Sequence, residues 1–213
     1  MTFDDAVTLV AGMEWFDLAL LVQMTGQRRQ SLTNQLHRWA RTGKVVRLRR
    51  GMYTLADRYR RTSVNPAALA NQLYAPSYLT AEWALSFYGL IPEQAVTYTS
   101  ATTRTPREFS NPFGRFVYRH VKRSFFFGSR PVDLNGRRVV LAKPEKALLD
   151  QWHLSPGEWT AGRMASMRYR PSECVNQERL RAFALRFGKP RLLRAVEAWA
   201  ACTQEEQEGS IEL

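Results

Sequence analysis

The sequence predicts an α+β fold in two domains. Helical periodicity runs through the first forty residues and a short basic hairpin follows them. Further along the chain, helices, strands and helices occur in separate blocks, which favours an α+β domain. Residues 57–65 are polar and basic and lead into Pro66, and proline restrains the residue before it from the helical region. We therefore predict domains at residues 1–56 and 66–213, joined by a linker at 57–65.

The first domain begins with two predicted apolar helices. Residues 3–13 carry apolar side chains at roughly helical spacing, with acidic residues near the start, where the helix dipole favours anions. Residues 16–24 form a second apolar stretch, which Asp17 is placed to start. Residues 25–26, Thr-Gly, are predicted to form a turn into a third helix.

The third predicted helix is amphipathic and basic. Leu32, Leu36 and Trp39 fall at i, i+4 and i+7, so they share one apolar stripe. Guanidiniums and amides, which read guanine and adenine edges, and a hydroxyl occupy the other faces. Those residues are Arg28, Arg29, Gln30, Ser31, Asn34 and Arg38. The helix should end at Gly43.

A basic β-hairpin is predicted directly after this helix. Residues 45–48 alternate as a strand, Arg49-Arg50-Gly51 forms a tight turn, and residues 52–55 return. Three short helices and a hairpin are the parts of a winged helix-turn-helix, whose third helix enters the major groove of DNA. Arg47, Arg49 and Arg50 are then expected at phosphates or the minor groove. The alternative is a solvated basic helix with an ordinary hairpin.

The charge distribution supports a polyanionic partner. The formal net charge is +12, and residues 25–62 carry eleven Lys and Arg against one acid. Residues 144–213 carry ten of each sign, so the far end presents a different surface. Two cysteines without CxxC spacing, Cys174 and Cys202, indicate a reducing compartment and are expected to be buried thiols. No apolar run approaches twenty residues and no signal peptide is evident, so we predict a cytoplasmic protein.

The second domain is predicted to contain helices at both ends and strands between them. The first helices are expected at 66–73 and after Ser77, which is placed to cap a helix that includes Leu79 and Tyr88. Candidate strands are residues 96–103, 116–118, 125–127, 132–134 and 139–141, the last two joined by an Asn-Gly turn. Later helices are expected at 144–152, 177–187 and 190–202, and the acidic tail from Thr203 is expected to fray.

Four blocks of sequence resemble the AbiEi antitoxin family. The first is Arg50-Gly51-Met52-Tyr53, similar to the strand that ends the winged helix of that family. The others are Ala75-Pro76-Ser77-Tyr78-Leu79-Thr80, then Ala84-Leu85 with Tyr88-Gly89-Leu90-Ile91-Pro92, and Pro144-Glu145-Lys146-Ala147-Leu148-Leu149-Asp150. The resemblance covers roughly residues 5–155 in the right order, and the last fifty or so residues match less clearly.

The resemblance implies a type IV toxin–antitoxin system of the kind linked to phage abortive infection. In that family the antitoxin represses its own operon by binding inverted repeats through the winged helix. The second domain counters a nucleotidyltransferase toxin without forming a stable complex with it. We expect a monomer, or a weak dimer that pairs on DNA. A stand-alone regulator without a toxin is the alternative that the resemblance leaves open.

The sequence offers little for an enzyme. His37, His120 and His153 lack paired metal-ligand spacing, no phosphate-cradling glycine loop is present, and no cofactor or metal is predicted. His37 either contacts DNA or is a plain surface histidine. The best enzymatic alternative is a metal-dependent nuclease that uses Asp133 with Glu145 and Lys146. For Glu145, Lys146 and Asp150 we favour helix capping and surface pairing over a role in antitoxicity, since Lys146 and Asp150 stand at i, i+4.

Three consecutive phenylalanines, residues 125–127, follow the cations Arg119, Lys122 and Arg123. Aromatic side chains beside cations are typical of single-strand binding platforms. In a strand, however, three consecutive side chains cannot all face one side. A buried strand is therefore the favoured interpretation, with at least one phenylalanine in the core.

Overall fold

A computed structural model describes residues 1–170 and 174–209, with side chains described to residue 203. Over these residues the protein is mixed α+β, with nine α-helices and two sheets. The chain divides into two compact units, Met1–Leu69 with Phe109–Gly114, and Ala70–Glu108 with Arg115–Leu213. Residues 57–65, the predicted linker, lie within the first unit.

The first unit consists of three helices and a small antiparallel sheet in the order β1-β3-β2. Its elements are α1 (Phe3–Val10), β1 (Phe16–Asp17), α2 (Leu18–Thr25), α3 (Arg29–Arg41), β2 (Val45–Arg49) and β3 (Met52–Leu55). One hydrophobic core joins them, because each helix buries one stripe and β3 is buried along its length. The largest core side chains are Phe3, Phe16, Leu21, Leu32, Leu36, Trp39 and Tyr53.

The predicted helix at 16–24 begins two residues late. Phe16 and Asp17 instead pair with Tyr53 and Met52 as a short strand. The side chain of Asp17 accepts the backbone N–H of Leu20 at 2.7 Å, so this residue is the N-cap and the helix begins after it. The predicted hairpin at 45–55 is confirmed, with Gly51 at φ +78° in its turn.

The second unit is built on a six-stranded mixed sheet in the order β6-β7-β5-β4-β9-β8. Its strands are β4 (Ser77–Leu79), β5 (Thr97–Thr102), β6 (Arg107–Asn111), β7 (Gly114–His120), β8 (Ser129–Leu134) and β9 (Arg137–Ala142). The helices of the chain from residue 66 onward are α4 (Pro66–Leu73), α5 (Ala81–Phe87), α6 (Pro144–Leu154), α7 (Ala161–Ser166), α8 (Gln177–Phe187) and α9 (Pro190–Gly209). The Asn-Gly hairpin between β8 and β9 is confirmed.

Two predicted elements of this unit are wrong. Ser77 does not cap a helix: residues 77–79 form β4, which pairs with β5 on one side and β9 on the other. The helix begins only at Ala81. Residues 125–127 do not form a strand either, because residues 123–125 make a turn of 3-10 helix. Phe125 is nevertheless buried, as expected, and its ring packs 4.6 Å from that of Phe187.

The short strand β4 leaves part of β9 without a neighbouring strand, and a side chain takes its place. Asn71 on α4 accepts the N–H of Val140 at 2.6 Å through Oδ1 and donates to the carbonyl of Val140 at 3.2 Å through Nδ2. A side-chain amide carries both a donor and an acceptor, so it extends the ladder as a strand would. This explains why a polar side chain on α4 is buried.

Candidate nucleic-acid interface

The buried stripe of α3 determines which side chains face outward. Leu32 and Leu36 are 0% exposed and Trp39 is buried beside them. The six helix residues predicted to read DNA are all exposed, namely Arg28, Arg29, Gln30, Ser31, Asn34 and Arg38. Gln30, Asn34 and Arg38 follow one another at intervals of four and form a line on the face opposite the stripe.

Two amides of this line are hydrogen-bonded to each other. Gln30 Nε2 donates to Asn34 Oδ1 at 3.1 Å. The bond orients both groups, because it directs the remaining amide hydrogens of Asn34 and the carbonyl oxygen of Gln30 away from the shared contact. An adenine edge presents one acceptor and one donor in the major groove, and amide side chains read it through that pattern. The pair therefore has the chemistry for adenine recognition.

The start of α3 differs from the starts of the other two helices in this unit. Thr2 and Asp5 form a capping box on α1, and Asp17 caps α2. Arg28 stands at the N-cap of α3 with no side-chain capping bond, and no acid lies in the first turn. Cations near a helix N-terminus are unfavourable, whereas a bound phosphate is favourable there. A local conflict of this kind is typical of a binding site.

The hairpin carries the other three predicted contact residues. Arg47 and Arg50 are exposed and Arg49 is half-buried. Arg49 Nη1 donates to the carbonyl of Arg50 at 3.2 Å, which holds the guanidinium at the turn. Asp57, the one acid in residues 25–62, pairs with Arg60 at 2.6 Å. His37 is also exposed on α3, a position consistent with either of its two interpretations.

The proposed nuclease residues have separate structural roles. Asp133 is exposed in β8, and its Oδ1 accepts the N–H of Gly136 in the hairpin turn at 2.9 Å. Glu145 is buried in α6, where Oε1 accepts the N–H of Asn176 at 2.8 Å. Lys146 donates to Asp150. Within the described part of the chain, no three His, Cys, Asp or Glu side chains form a group able to hold a metal ion.

The expectation that Lys146 and Asp150 form a surface pair is wrong. They are paired, but both side chains are 0% exposed. Asp150 Oδ2 also accepts hydrogen bonds from Tyr78 Oη at 3.0 Å and Thr80 Oγ1 at 2.8 Å. The ammonium of Lys146 lies over the ring of Phe187 at 4.8 Å. Burial lowers the pKa of Lys146 and the carboxylate of Asp150 opposes that shift. Glu145 is also buried and bonds to a distant N–H, so it does not act as a surface cap.

The cysteines also differ from expectation. Cys174 is exposed and Cys202 is half-buried, so the prediction of two buried thiols is wrong. Cys174 lies shortly before α8, and the Val175 that follows it is buried. Cys202 lies on α9, where its thiol is 3.9 Å from the carbonyl of Ala161.

No protein-family model matches this chain, and no curated protein matches it significantly. Over residues 1–170 and 174–209, none of the helices has both the length and the apolar character required to cross a membrane.

Proposed function

We propose that the protein is a transcriptional repressor that binds double-stranded DNA through a winged helix-turn-helix. In this proposal α3 enters the major groove and the β2–β3 hairpin is the wing. The observation that carries it is the outward face of α3, where polar and cationic side chains surround an N-terminus that lacks acids. Within the described residues, Arg28, Arg29 and Arg38 form no ion pair, so their charge is available to phosphates and bases.

The wing adds a second row of cations to the proposed surface. Arg47, Arg49 and Arg50 belong to the same compact unit as α3, and the hairpin is joined to α3 by three residues. Winged helices place the third helix on base edges and the hairpin on the backbone. We assign the major groove to one set of residues on α3 and the phosphates or the minor groove to the wing. The α3 set is Arg28, Arg29, Gln30, Ser31 and Asn34.

The family resemblance extends this proposal to an antitoxin. On that reading the protein represses its own operon through inverted repeats, and the second unit counters a nucleotidyltransferase toxin without binding it stably. Residues 144–213 carry no net charge, which supports a role for this end of the chain away from the DNA phosphates. A stand-alone repressor remains the competing proposal.

A mobility-shift titration of the full chain tests DNA binding. The probes are DNA from upstream of its own gene and random DNA of equal length. We expect at least a hundredfold preference for the upstream probe, since specific binding exceeds non-specific binding by about 10³ or more. Arg28→Ala with Arg29→Ala should abolish the shift, and the exposed Arg181→Ala on α8 is the matched control. Equal affinity for both probes would leave only non-specific binding.

A growth assay separates the antitoxin from the stand-alone repressor. The full chain is expressed together with the product of the gene directly downstream of its own. Antitoxicity predicts that this product arrests growth alone and that the full chain restores growth. A downstream product that leaves growth unchanged, or an arrest that the full chain does not relieve, would favour the stand-alone repressor.

A further inference from the structure

The proposed wing contains a β-bulge just before its arginine turn. Residues 45–47 of β2 pair regularly with residues 55–53 of β3, but Arg49 then pairs with Met52. Leu48 and Arg49 together therefore oppose one residue, and the backbone of Leu48 leaves the regular ladder. The Leu48 side chain is 2% exposed, so it anchors the bulge in the core. The bulge thus determines the direction of Arg49 and Arg50.

A side chain sixty-three residues away binds this bulge. Asn111 Nδ2 donates to the carbonyl of Leu48 at 3.3 Å. Asn111 Oδ1 accepts the N–H of Phe113 at 2.9 Å, within its own turn. The orientation of the Asn111 amide is therefore fixed. A flipped amide would place Oδ1 against the carbonyl oxygen of Leu48 and Nδ2 against the N–H of Phe113. The turn fixes the amide in the orientation that the bulge needs.

The same turn reaches the chain that leaves the hairpin. The ring of Phe113 lies 5.3 Å from the guanidinium of Arg60, which also pairs with Asp57. Arg60 is 8% exposed at its side chain and follows β3 by five residues. A cation over an aromatic face is attracted to it, and more strongly when water is excluded. Residues 109–114 thus contact the wing before its turn, at Leu48, and the chain that follows the wing, at Arg60.

We propose that residues 109–114 form a clamp on the wing, and that Asn111 is a positioning residue for DNA binding. This inference rests on the proposed function, since it concerns how the wing arginines meet the phosphates. A hairpin with a bulge admits a one-residue slip of register, which would turn each side chain to the opposite face. The clamp prevents that slip by satisfying the bulge carbonyl in one register only. Asn111 is not among the proposed DNA contacts, and its effect passes through Arg49, the other residue of the bulge.

A double-mutant cycle in the full chain tests the clamp. Asn111→Ala should weaken binding to the upstream DNA about fivefold, the equivalent of one net hydrogen bond. In an Arg49→Ala background the same substitution should weaken binding less than twofold, because its effect passes through that arginine. Glu178→Ala, an exposed position on α8 outside the clamp, is the control and should leave affinity unchanged. Full additivity of the two substitutions would overturn the proposal.

A measurement without DNA distinguishes failure of the clamp from failure of the proposed function. Amide hydrogen exchange at residues 47–52 should be at least fivefold faster in Asn111→Ala than in the wild type. Unchanged exchange would overturn the clamp, even if the protein binds DNA. If exchange is faster in Asn111→Ala but the wild type shows no preference for upstream DNA, the proposed function is overturned and the clamp is supported. If Asn111→Ala does not fold, Phe113→Leu replaces it in both measurements, with the same expected directions.

Discussion

Helices α3 and α6 both carry ionisable side chains, which are exposed on α3 and largely buried on α6. On α3 the cations are exposed and the buried stripe is purely apolar. On α6 every residue from Pro144 to Trp152 is buried, including Glu145, Lys146 and Asp150. The charges of α6 have protein partners, whereas Arg28, Arg29 and Arg38 on α3 have no ion-pair partner among the described residues. Buried charged side chains that have protein partners stabilise the fold. Exposed charged side chains without an ion-pair partner are available to bind a ligand.

Substitution of Asp150 should have the largest effect, a loss of unfolding free energy. Asp150→Ala leaves the ammonium of Lys146 buried without its counter-charge, and breaking a buried pair from one side costs about 3–5 kcal/mol. Urea unfolding followed by circular dichroism measures the loss. The exposed Glu178→Ala on α8 is the control and should change the free energy of unfolding by less than about 1 kcal/mol. A similar loss in both variants would contradict the structural role of α6.

The second effect concerns base recognition by α3. Asn34→Ala should cost about 1–3 kcal/mol of DNA binding free energy, and the loss should be confined to one base pair of the operator. Titration against operators substituted at each position measures it. The thermal stability should change little, since Asn34 is exposed.

The wing provides the control for this experiment. Arg49→Ala should weaken operator and random DNA by similar factors and reduce the slope of log affinity against log salt by about 1. If Asn34→Ala weakens binding to all DNA sequences equally while Arg49→Ala changes the base preference, the roles of helix and wing are reversed.

A smaller effect, on the pH dependence of stability, is expected from substitution of His153 near the end of α6. Burial, and then the ammonium of Lys189, lower the pKa of His153 from 6.5 to about 4. The unfolded chain therefore binds a proton that the folded protein excludes. The stability from neutral His153 is present above pH 6.5 and is lost as the pH falls toward 4. His153→Gln should lose less unfolding free energy than the wild type between pH 7 and pH 5, and equal losses would contradict this assignment.

The smallest effect, and the one that separates stability from function, is at Arg29. Arg29→Glu places an anion in the first turn of α3, which should stabilise the protein by about 0.3–1 kcal/mol. The same substitution should weaken DNA binding, because it removes a cation and adds a charge that repels phosphate. Thermal melting and mobility shift on one preparation test both parts. A variant that is less stable and binds DNA normally would show that the start of α3 is not a DNA contact.

Local signals were sufficient for much of the fold. Helix α8 matches its prediction at both ends, because Asn176 caps its start and Gly188 ends it. The exposed positions of α3 followed from the period of Leu32, Leu36 and Trp39. Both features depend on residues within a few positions of one another. The roles of the α3 residues in DNA binding stay predictions.

Long-range pairing explains what the sequence did not reveal. Residues 77–79 became a strand because β5 and β9 flank them, and no nearby residue signals that. The buried environment of Lys146 depends on Tyr78 and Thr80, which meet Asp150 from about seventy positions away. Asn111 stands before a proline, a local turn signal. Its partner Leu48, however, is too distant for any spacing rule to suggest.

The discontinuous first unit has a consequence for how the protein is made. The chain is synthesised from its N-terminus. The carbonyl of Leu48 therefore has no hydrogen bond from Asn111 until some sixty further residues have been synthesised. Closing so long a loop costs conformational entropy, which the contacts of residues 109–114 with the first unit must offset. A nascent chain that ends near residue 70 therefore holds all the proposed DNA contacts with an unsecured wing. Exchanging the first sixty residues between two such genes would transfer the proposed recognition helix and leave residues 109–114, the proposed clamp, behind.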